Sequence, residues 1–500
     1  MSDRTTAMPG QGGFVRSMLA GHSALGIAFA ALIHLVCFSG LLAVFHAEFA
    51  RWEQPDAPLV TALQPQAAEA ALHGVAAKAA ADDALHDLLL IAPGRGLPRL
   101  AVNYHDHDSG KEGDWYADAE GRLVMPEHLP WTDFMLRQHY DFHARPWGMY
   151  LVGIIGVALL SLLISGILSH PRILRDAFHL RWGGSRRLQD ADLHNRLSVW
   201  GLPFHLAVAL TGAFLGLSGL VVNVLAYAAY GGDTTRAIEA VLGPQPGQDA
   251  SPAPLPAIVP LLAQVQAQTP GDVLSYIQLE HAGQAGQMVV ISAQAPDQLA
   301  RPDTYSFDGA GVFLHRGGYD HGVAGMQVLA AMQPLHFGSF GGLPVKLAYG
   351  VLGLALCLVT STGITIWLAR RRDRGDPAPG WERVWTAVFW GQPVAFAVTA
   401  LAVQAADLPP LPVFWAVTLL TLVTAIPALE ARRLARRLRA VTGGLLLAVA
   451  LLHGVRWQGI AIDPAAWIMD GVLVAMALAM GLSLGWGRDR AGRLAPVGRS

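Results

Sequence analysis

Met149-Tyr-Leu-Val-Gly153-Ile-Ile-Gly156, running on to Ser165-Gly166, lies without a gap against Lys346-Leu-Ala-Tyr-Gly350-Val-Leu-Gly353, running on to Thr362-Gly363, at a constant offset of 197 residues. The same offset carries His139 onto His336. A second match precedes each of these stretches. His22 is followed 17 residues later by Ser39-Gly40, and His194 is followed 17 residues later by Thr211-Gly212. The chain therefore reads as a duplicated two-helix unit. Each copy has one histidine at the inner end of its first helix and another at the outer end of its second. Both copies cross in the same direction, so a pseudo-two-fold axis along the membrane normal relates them. That axis brings His22 to His194 at one end and His139 to His336 at the other.

Composition agrees with a membrane setting. Of 500 residues, 53% are hydrophobic and 14% charged, against about 25% charged in a typical soluble domain. Apolar stretches lie at roughly 19–46, 147–169, 198–228, 344–369, 384–404, 411–428, 440–457 and 465–487. A spanning helix needs about 20 such residues, so eight spans are expected. The first stretch is longer than a signal-peptide core and is read as a retained helix. Arginines cluster at Arg172, Arg175, Arg181, Arg186, Arg187 and Arg196, at Arg370–Arg374, at Arg432–Arg439, and at Arg488, Arg490 and Arg493. All four clusters fall on one side. By the positive-inside rule that side is the cytoplasm, in a bacterial inner membrane with both termini cytoplasmic. The net charge of −2 points away from nucleic acid. Cys37 and Cys357 lie in apolar helices, so neither a disulfide nor a zinc site is indicated. With no CxxCH motif and two cysteines in all, covalent haem and thiolate-held iron–sulfur clusters are set aside.

The organisation follows: a first transmembrane helix within 14–48, an outside module at 49–140, helices two and three with their basic loop at 141–230, a second outside module at 231–335, helix four at 336–375, and a four-helix membrane extension at 380–490. Each outside segment opens on an Ala-rich helical stretch (67–90; 257–268). Alternating runs follow (97–104; 288–293), and each segment ends in a hairpin-like piece around Gly121 or Gly311. Such patterning reads as small α+β modules. The expected fold is an all-α polytopic membrane protein with a four-helix core and two α+β modules outside.

Two histidines facing each other across an axis supply both axial ligands of a haem iron. Iron takes neutral imidazole, and an acceptor orients the second ring nitrogen. Two such pairs predict two b-type haems per chain, with His22, His194, His139 and His336 as iron ligands. Ionisable groups at membrane depth are costly and usually functional. The glycines fit close helix packing as well as room for a flat macrocycle.

Other histidines are alternatives. His34 and His205 lie deeper, 12 and 11 residues past His22 and His194, and so are not equivalent; either is an alternative ligand or a propionate partner. His143, one turn beyond His139, is another. His170 and His179 belong to the basic loop. His46, His105, His107, His315 and His321 belong to the outside segments, where solvent exposure is the default and a soft metal site the alternative. His453 in span seven has no partner in that span.

The stretches His22-Ser-Ala-Leu-Gly, Gln138-His139 with Gly148 and Val152-Gly153, Asp192-Leu-His194 with Trp200-Gly, and Leu335-His336-Phe-Gly-Ser-Phe-Gly-Gly resemble the PepSY-associated transmembrane family. So does Thr362-Gly-Ile-Thr-Ile-Trp367 with the basic run after it. The resemblance covers about residues 14–375, and the outside segments resemble the family's PepSY modules. The family includes ferric-siderophore reductases of the bacterial inner membrane. The resemblance implies a four-helix core with two haems passing electrons to an iron chelate outside, with His22, His194, His139 and His336 as ligands. It implies a ferric siderophore or other chelate as partner, and a cytoplasmic donor such as reduced flavin, or a quinone. Two features depart from the family: His139 follows Gln rather than Leu, and spans five to eight lie beyond the four-helix core. A quinone-linked b-type cytochrome and a non-redox transporter or sensor remain as alternative functions.

Overall fold

A computed structural model of the chain describes residues 11–170, 186–295, 299, 302–318, 324–425 and 430–492. His179, His321, Arg172, Arg175, Arg181 and Arg493 lie outside them.

The long first helix α1 (Gln11–Ala43) is followed at once by the short α2 (His46–Glu53). The first outside segment then gives α3 (Pro65–Ala81), strands β1 (Asp87–Ile91), β2 (Leu100–His105), β3 (Glu112–Ala117) and β4 (Leu123–Pro126), and α4 (Pro130–Tyr140). Helix α5 (Trp147–Ser169) returns through the apolar region. Next come α6 (Arg186–Trp200), α7 (Leu202–Gly216), α8 (Ser218–Ala229) and α9 (Thr234–Leu242). The second outside segment repeats the order: α10 (Ile258–Gln268), β5 (Val273–Glu280), β6 (Met288–Gln294), β7 (Asp303–Asp308), β8 (Phe313–Gly317) and α11 (Ala324–Phe337). Five helices complete the chain: α12 (Gly342–Asp373), α13 (Pro379–Ala406), α14 (Pro410–Thr424), α15 (Ala431–Trp457) and α16 (Pro464–Gly492).

Among the described residues six helices are long and apolar enough to cross a membrane: α1, α5, α12, α13, α15 and α16. The expected eight spans are not all met. Span three is the pair α6 and α7, bent by 70° at Gly201, and counting the pair as one span gives seven. Pro203 explains the break, since proline lacks the N–H that would continue the helix and disfavours helical backbone in the residue before it. Span six is α14, 15 residues long and short of the roughly 20 a crossing requires.

The two outside segments join in one antiparallel sheet of order β4-β3-β2-β1-β5-β6-β7-β8. The halves meet where Leu88 pairs with Leu279 and Leu90 with Ile277. Each half ends in the same hairpin. In both, an aspartate side chain accepts two backbone N–H bonds (Asp118 from Glu120 and Arg122; Asp308 from Ala310 and Val312). The following Gly121 and Gly311 both sit at φ +82°, a left-handed conformation that glycine takes without steric cost. Leu88, Leu90, Val102, Ile277, Ile291 and Phe307 form one core with Leu72, Val75, Leu261 and Val265 of α3 and α10. Glu69 of α3 accepts the first two amides of α10, from Ile258 and Val259, which ties one half to the other.

In the membrane region α1 packs on α5 and α12, α5 on α7, and α6 on α12, which makes the four-helix core. Helices α13 to α16 pack among themselves and reach the core mainly through α1, α2, α4 and α12.

Candidate functional site

The structure brings the quartet together in two pairs. The His22 and His194 rings have centroids 6.4 Å apart and stand at 82°. The His139 and His336 rings have centroids 6.1 Å apart and lie at 16°. Two imidazoles on opposite sides of one metal ion, with metal–nitrogen bonds of about 2.0 Å, put their centroids roughly 6 Å apart. The spacing within each pair would suit two imidazoles that hold one haem iron between them.

One local arrangement recurs at all four. His22 Nδ1 bonds the Leu162 carbonyl at 3.0 Å and lies 3.2 Å from the Ser165 hydroxyl. His194 Nδ1 bonds the Val359 carbonyl at 3.0 Å and lies 3.2 Å from the Thr362 hydroxyl. His139 Nδ1 bonds the Val36 carbonyl at 3.0 Å, with the Ser39 hydroxyl at 3.5 Å. His336 Nδ1 lies 3.0 Å from the Thr211 hydroxyl, with the Val208 carbonyl nearby. Each carbonyl lies four residues before a glycine of a Ser/Thr-Gly pair. A Cβ would strike the ring at two of them, 2.7 Å from His139 at Gly40 and 2.9 Å from His336 at Gly212, would crowd His22 at 3.2 Å from Gly166, and would only touch His194 at 3.5 Å from Gly363. The glycine thus opens a helix carbonyl to a second donor, and the imidazole fills the space. With Nδ1–H donating, Nε2 is the unprotonated nitrogen, as a metal ligand requires.

Between His22 and His194 the core opens into a cavity with about 1510 Å³ of empty space, its mouth included. Apolar side chains line most of it, among them Ile33, Leu163, Leu356 and Ile364. Ser23, Ser169, His170, Asn195, Ser198 and Arg370 are among its polar groups.

The outer histidines sit on different elements from those expected. His139 is on α4 and His336 on α11, short helices that precede the spans α5 and α12. Helix α4 stops at Tyr140 in a turn through Phe142 and His143, at φ +49° and +58°. Glu53 anchors its start, accepting the amides of Trp131 and Thr132 at 2.7 and 2.8 Å. Burial pushes the Glu53 carboxyl up to about 7 against the lowering effect of those bonds.

His34 is buried in α1 with its ring stacked 4.7 Å from Phe389 of α13. His205 is buried in α7 beside Phe204. His143 lies on Phe134, with Nε2 3.1 Å from the Phe134 carbonyl. Sequence reasoning missed two features. It read the Ser/Thr-Gly pairs as allowing close helix approach or room for a flat macrocycle, whereas their hydroxyls lie beside the imidazole Nδ1 atoms. It also left His453 without a partner. In the structure His453 bonds Asp470 of α16 at 2.8 Å and the Trp52 carbonyl at 2.7 Å, and Trp52 Nε1 donates to Asp470 at 2.9 Å. An acidic residue inside an apolar span was the available signal.

The model of the PepSY-associated TM region matches residues 19–370 of this chain. The chain belongs to the PepSY-associated TM family. An uncharacterised protein of Pseudomonas aeruginosa is 30% identical over 370 residues, covering 70% of this chain and 90% of that protein. The family match contains all four histidines and the sheet, and it ends within α12, before α13 to α16.

Proposed function

We propose that the chain is a di-haem reductase of the bacterial inner membrane, with both termini in the cytoplasm, that passes electrons outward to a ferric siderophore or other iron chelate. The observation that carries this reading is the fourfold recurrence of imidazole, hydroxyl and glycine, with a bonded carbonyl at three of the four, in two facing histidine pairs of one helical core. Haem b held between each pair supplies one-electron transfer, chemistry that no side chain here performs. The chain's own part is placement and tuning. His22 and His194 hold the inner position, beside the arginine-rich end where a cytoplasmic donor such as a reduced flavin arrives. His139 and His336 hold the outer position, beside the sheet, where the chelate docks. The Leu162, Val359 and Val36 carbonyls, and the Thr211 hydroxyl beside His336, would orient the rings and raise their basicity as ligands. Each ferric ion takes one electron, and the ferrous product leaves its hard oxygen chelator more readily.

Pyridine haemochrome assay of the purified protein is expected to give close to two haem b per chain. The ring planes add a finer expectation. Near-perpendicular imidazoles leave two iron d orbitals close in energy, whereas near-parallel ones separate them. The oxidised protein should therefore give two low-spin EPR signals, a highly anisotropic one lost in His194→Ala and a rhombic one lost in His336→Ala. Protein from a haem-replete host with no Soret band would overturn the haem reading and leave a ligand-binding transporter or sensor. For the acceptor, dithionite-reduced and desalted protein is mixed with ferric chelates while the α-band is followed. Rapid reoxidation, with ferrous iron caught by a chromogenic trap, is expected. Reoxidation by quinone with every chelate inert makes the chain a quinone-linked cytochrome instead.

A further inference from the structure

Four histidines that the redox reading does not use gather at one end of the sheet. The His86 and His281 ring centroids lie 4.9 Å apart, His105 and His107 4.5 Å, and His86 and His107 6.2 Å. They come from three places in the sequence. His86 precedes β1, His105 ends β2 with His107 just beyond it, and His281 follows β5. The register brings a row of carboxylates among them. Asp87 of β1 is paired with His105, and His105 with Glu112 of β3. Glu280, one step beyond the Leu88–Leu279 pair, has its carboxyl pushed up by burial and by the Asp87 charge.

Asp87 is the hub. His86 Nδ1 lies 3.0 Å from one of its oxygens and His107 Nε2 3.3 Å from the other, while the His281 amide donates to it at 3.1 Å. His281 holds φ +53°, a left-handed conformation unusual for a residue with a side chain. The Gly247 carbonyl, 3.1 Å from its Nδ1, orients its ring. At the opposite end of these strands Arg99 bonds the Ala50 carbonyl of α2, so the cluster faces away from the membrane helices.

We propose that this end of the sheet binds one divalent first-row transition-metal ion, held by the Asp87 carboxylate and imidazoles drawn from His86, His105, His107 and His281. Imidazole with carboxylate suits zinc, nickel and ferrous iron. Two imidazoles on one tetrahedral ion put their centroids about 5 Å apart, close to the spacings here. Among the described residues no three such groups converge on one point, and rotation of the largely exposed His107 and the partly exposed His105 about their side-chain torsions brings them in. The proposal stands without the haem reading. Where that reading also holds, the ferrous ion freed outside belongs to the class this site takes.

The test is equilibrium dialysis of the tag-free, full-length protein in detergent against Zn²⁺, with bound metal quantified per chain. Saturable uptake of one Zn²⁺ is expected, weakened at least tenfold in His105→Ala/His107→Ala and in Asp87→Asn. His73→Ala, an exposed histidine of α3, should bind as the wild type does. Haem content and melting temperature should be equal in all of them. Wild-type uptake no greater than that of His105→Ala/His107→Ala overturns the proposal, and so does an equal loss in His73→Ala, which would mean scattered surface binding.

Discussion

Replacing His336 with alanine should lower the haem content from two per chain to one and leave the remaining haem's spectrum unchanged. His139 and His336 share one site, with ring centroids 6.1 Å apart, and each is the other's counterpart across it. Alanine would remove one of the two imidazoles that would hold the haem, and it opens a void where the Gly212 surface had fitted the ring. His22 and His194 are held by the Leu162 and Val359 carbonyls, which the substitution does not touch. His139→Ala should behave in the same way, and His22→Ala or His194→Ala should remove the inner haem alone. Thr211→Val is a milder case. It deletes a hydroxyl 3.0 Å from His336 Nδ1 and keeps the ligand, and loss of such an outer partner typically weakens a metal site by about 10- to 100-fold. Haemochrome quantification with low-temperature α-band spectra separates these outcomes. If His34→Ala or His205→Ala abolished a haem while His22→Ala kept both, the inner pair would be misassigned.

The pairing itself was legible because a duplication is a pattern in sequence: one offset joins His139 to His336 and Ser165 to Thr362. The element that carries each outer histidine was not. The breaks after Tyr140 and Phe337 depend on left-handed backbone at Phe142, His143, Gly338 and Gly341, and only the glycines among these announce it. The outside modules were legible as α+β from alternation and turn residues. Their union was not, because β1 and β5 pair across nearly 190 residues of chain, and periodicity says nothing about which edges meet. The role of α13 to α16 was obscured for a related reason. His453, Asp470 and Trp52 form one network whose members lie in three separate segments, so no local window contains it.

A second large effect is expected at the same junction, from a single carboxylate. Asp463, just before α16, is fully buried between two arginines. Arg51 grips it with two bonds, of 2.7 and 2.8 Å, and Arg99 stands 3.5 Å away with its own side chain fully buried. Arg99 also bonds the carbonyls of Ala50 and Gln54, which ties the sheet to α2. Asp463→Ala leaves the buried Arg99 charge without the carboxylate 3.5 Å from it, and breaking a buried pair in this way costs about 3–5 kcal/mol. The exposed Arg433–Glu430 pair, at 3.7 Å, is the control: Glu430→Ala should cost at most about 1 kcal/mol. Burial pushes the Asp463 carboxyl up, but the Arg51 bonds, the Ala465 amide and both arginine charges outweigh it and hold the group below the usual carboxylate range. A carboxylate depressed in the folded state contributes stability that is present above its unfolded pKa of about 3.9 and is lost as pH falls through the folded value. The acid limb of the wild-type stability curve should therefore be steeper than that of Asp463→Asn. SDS titration of the protein in mild detergent across pH measures both effects, and an Asp463→Ala midpoint equal to that of Glu430→Ala would refute the account. On the proposed reading, the loss should also reach the two histidine pairs unevenly. Helix α2 carries both Arg51 and Glu53, and Glu53 caps the helix that holds His139. Loosening Asp463 should therefore deplete the outer haem before the inner one, which depends on α1, α5, α6 and α12 alone.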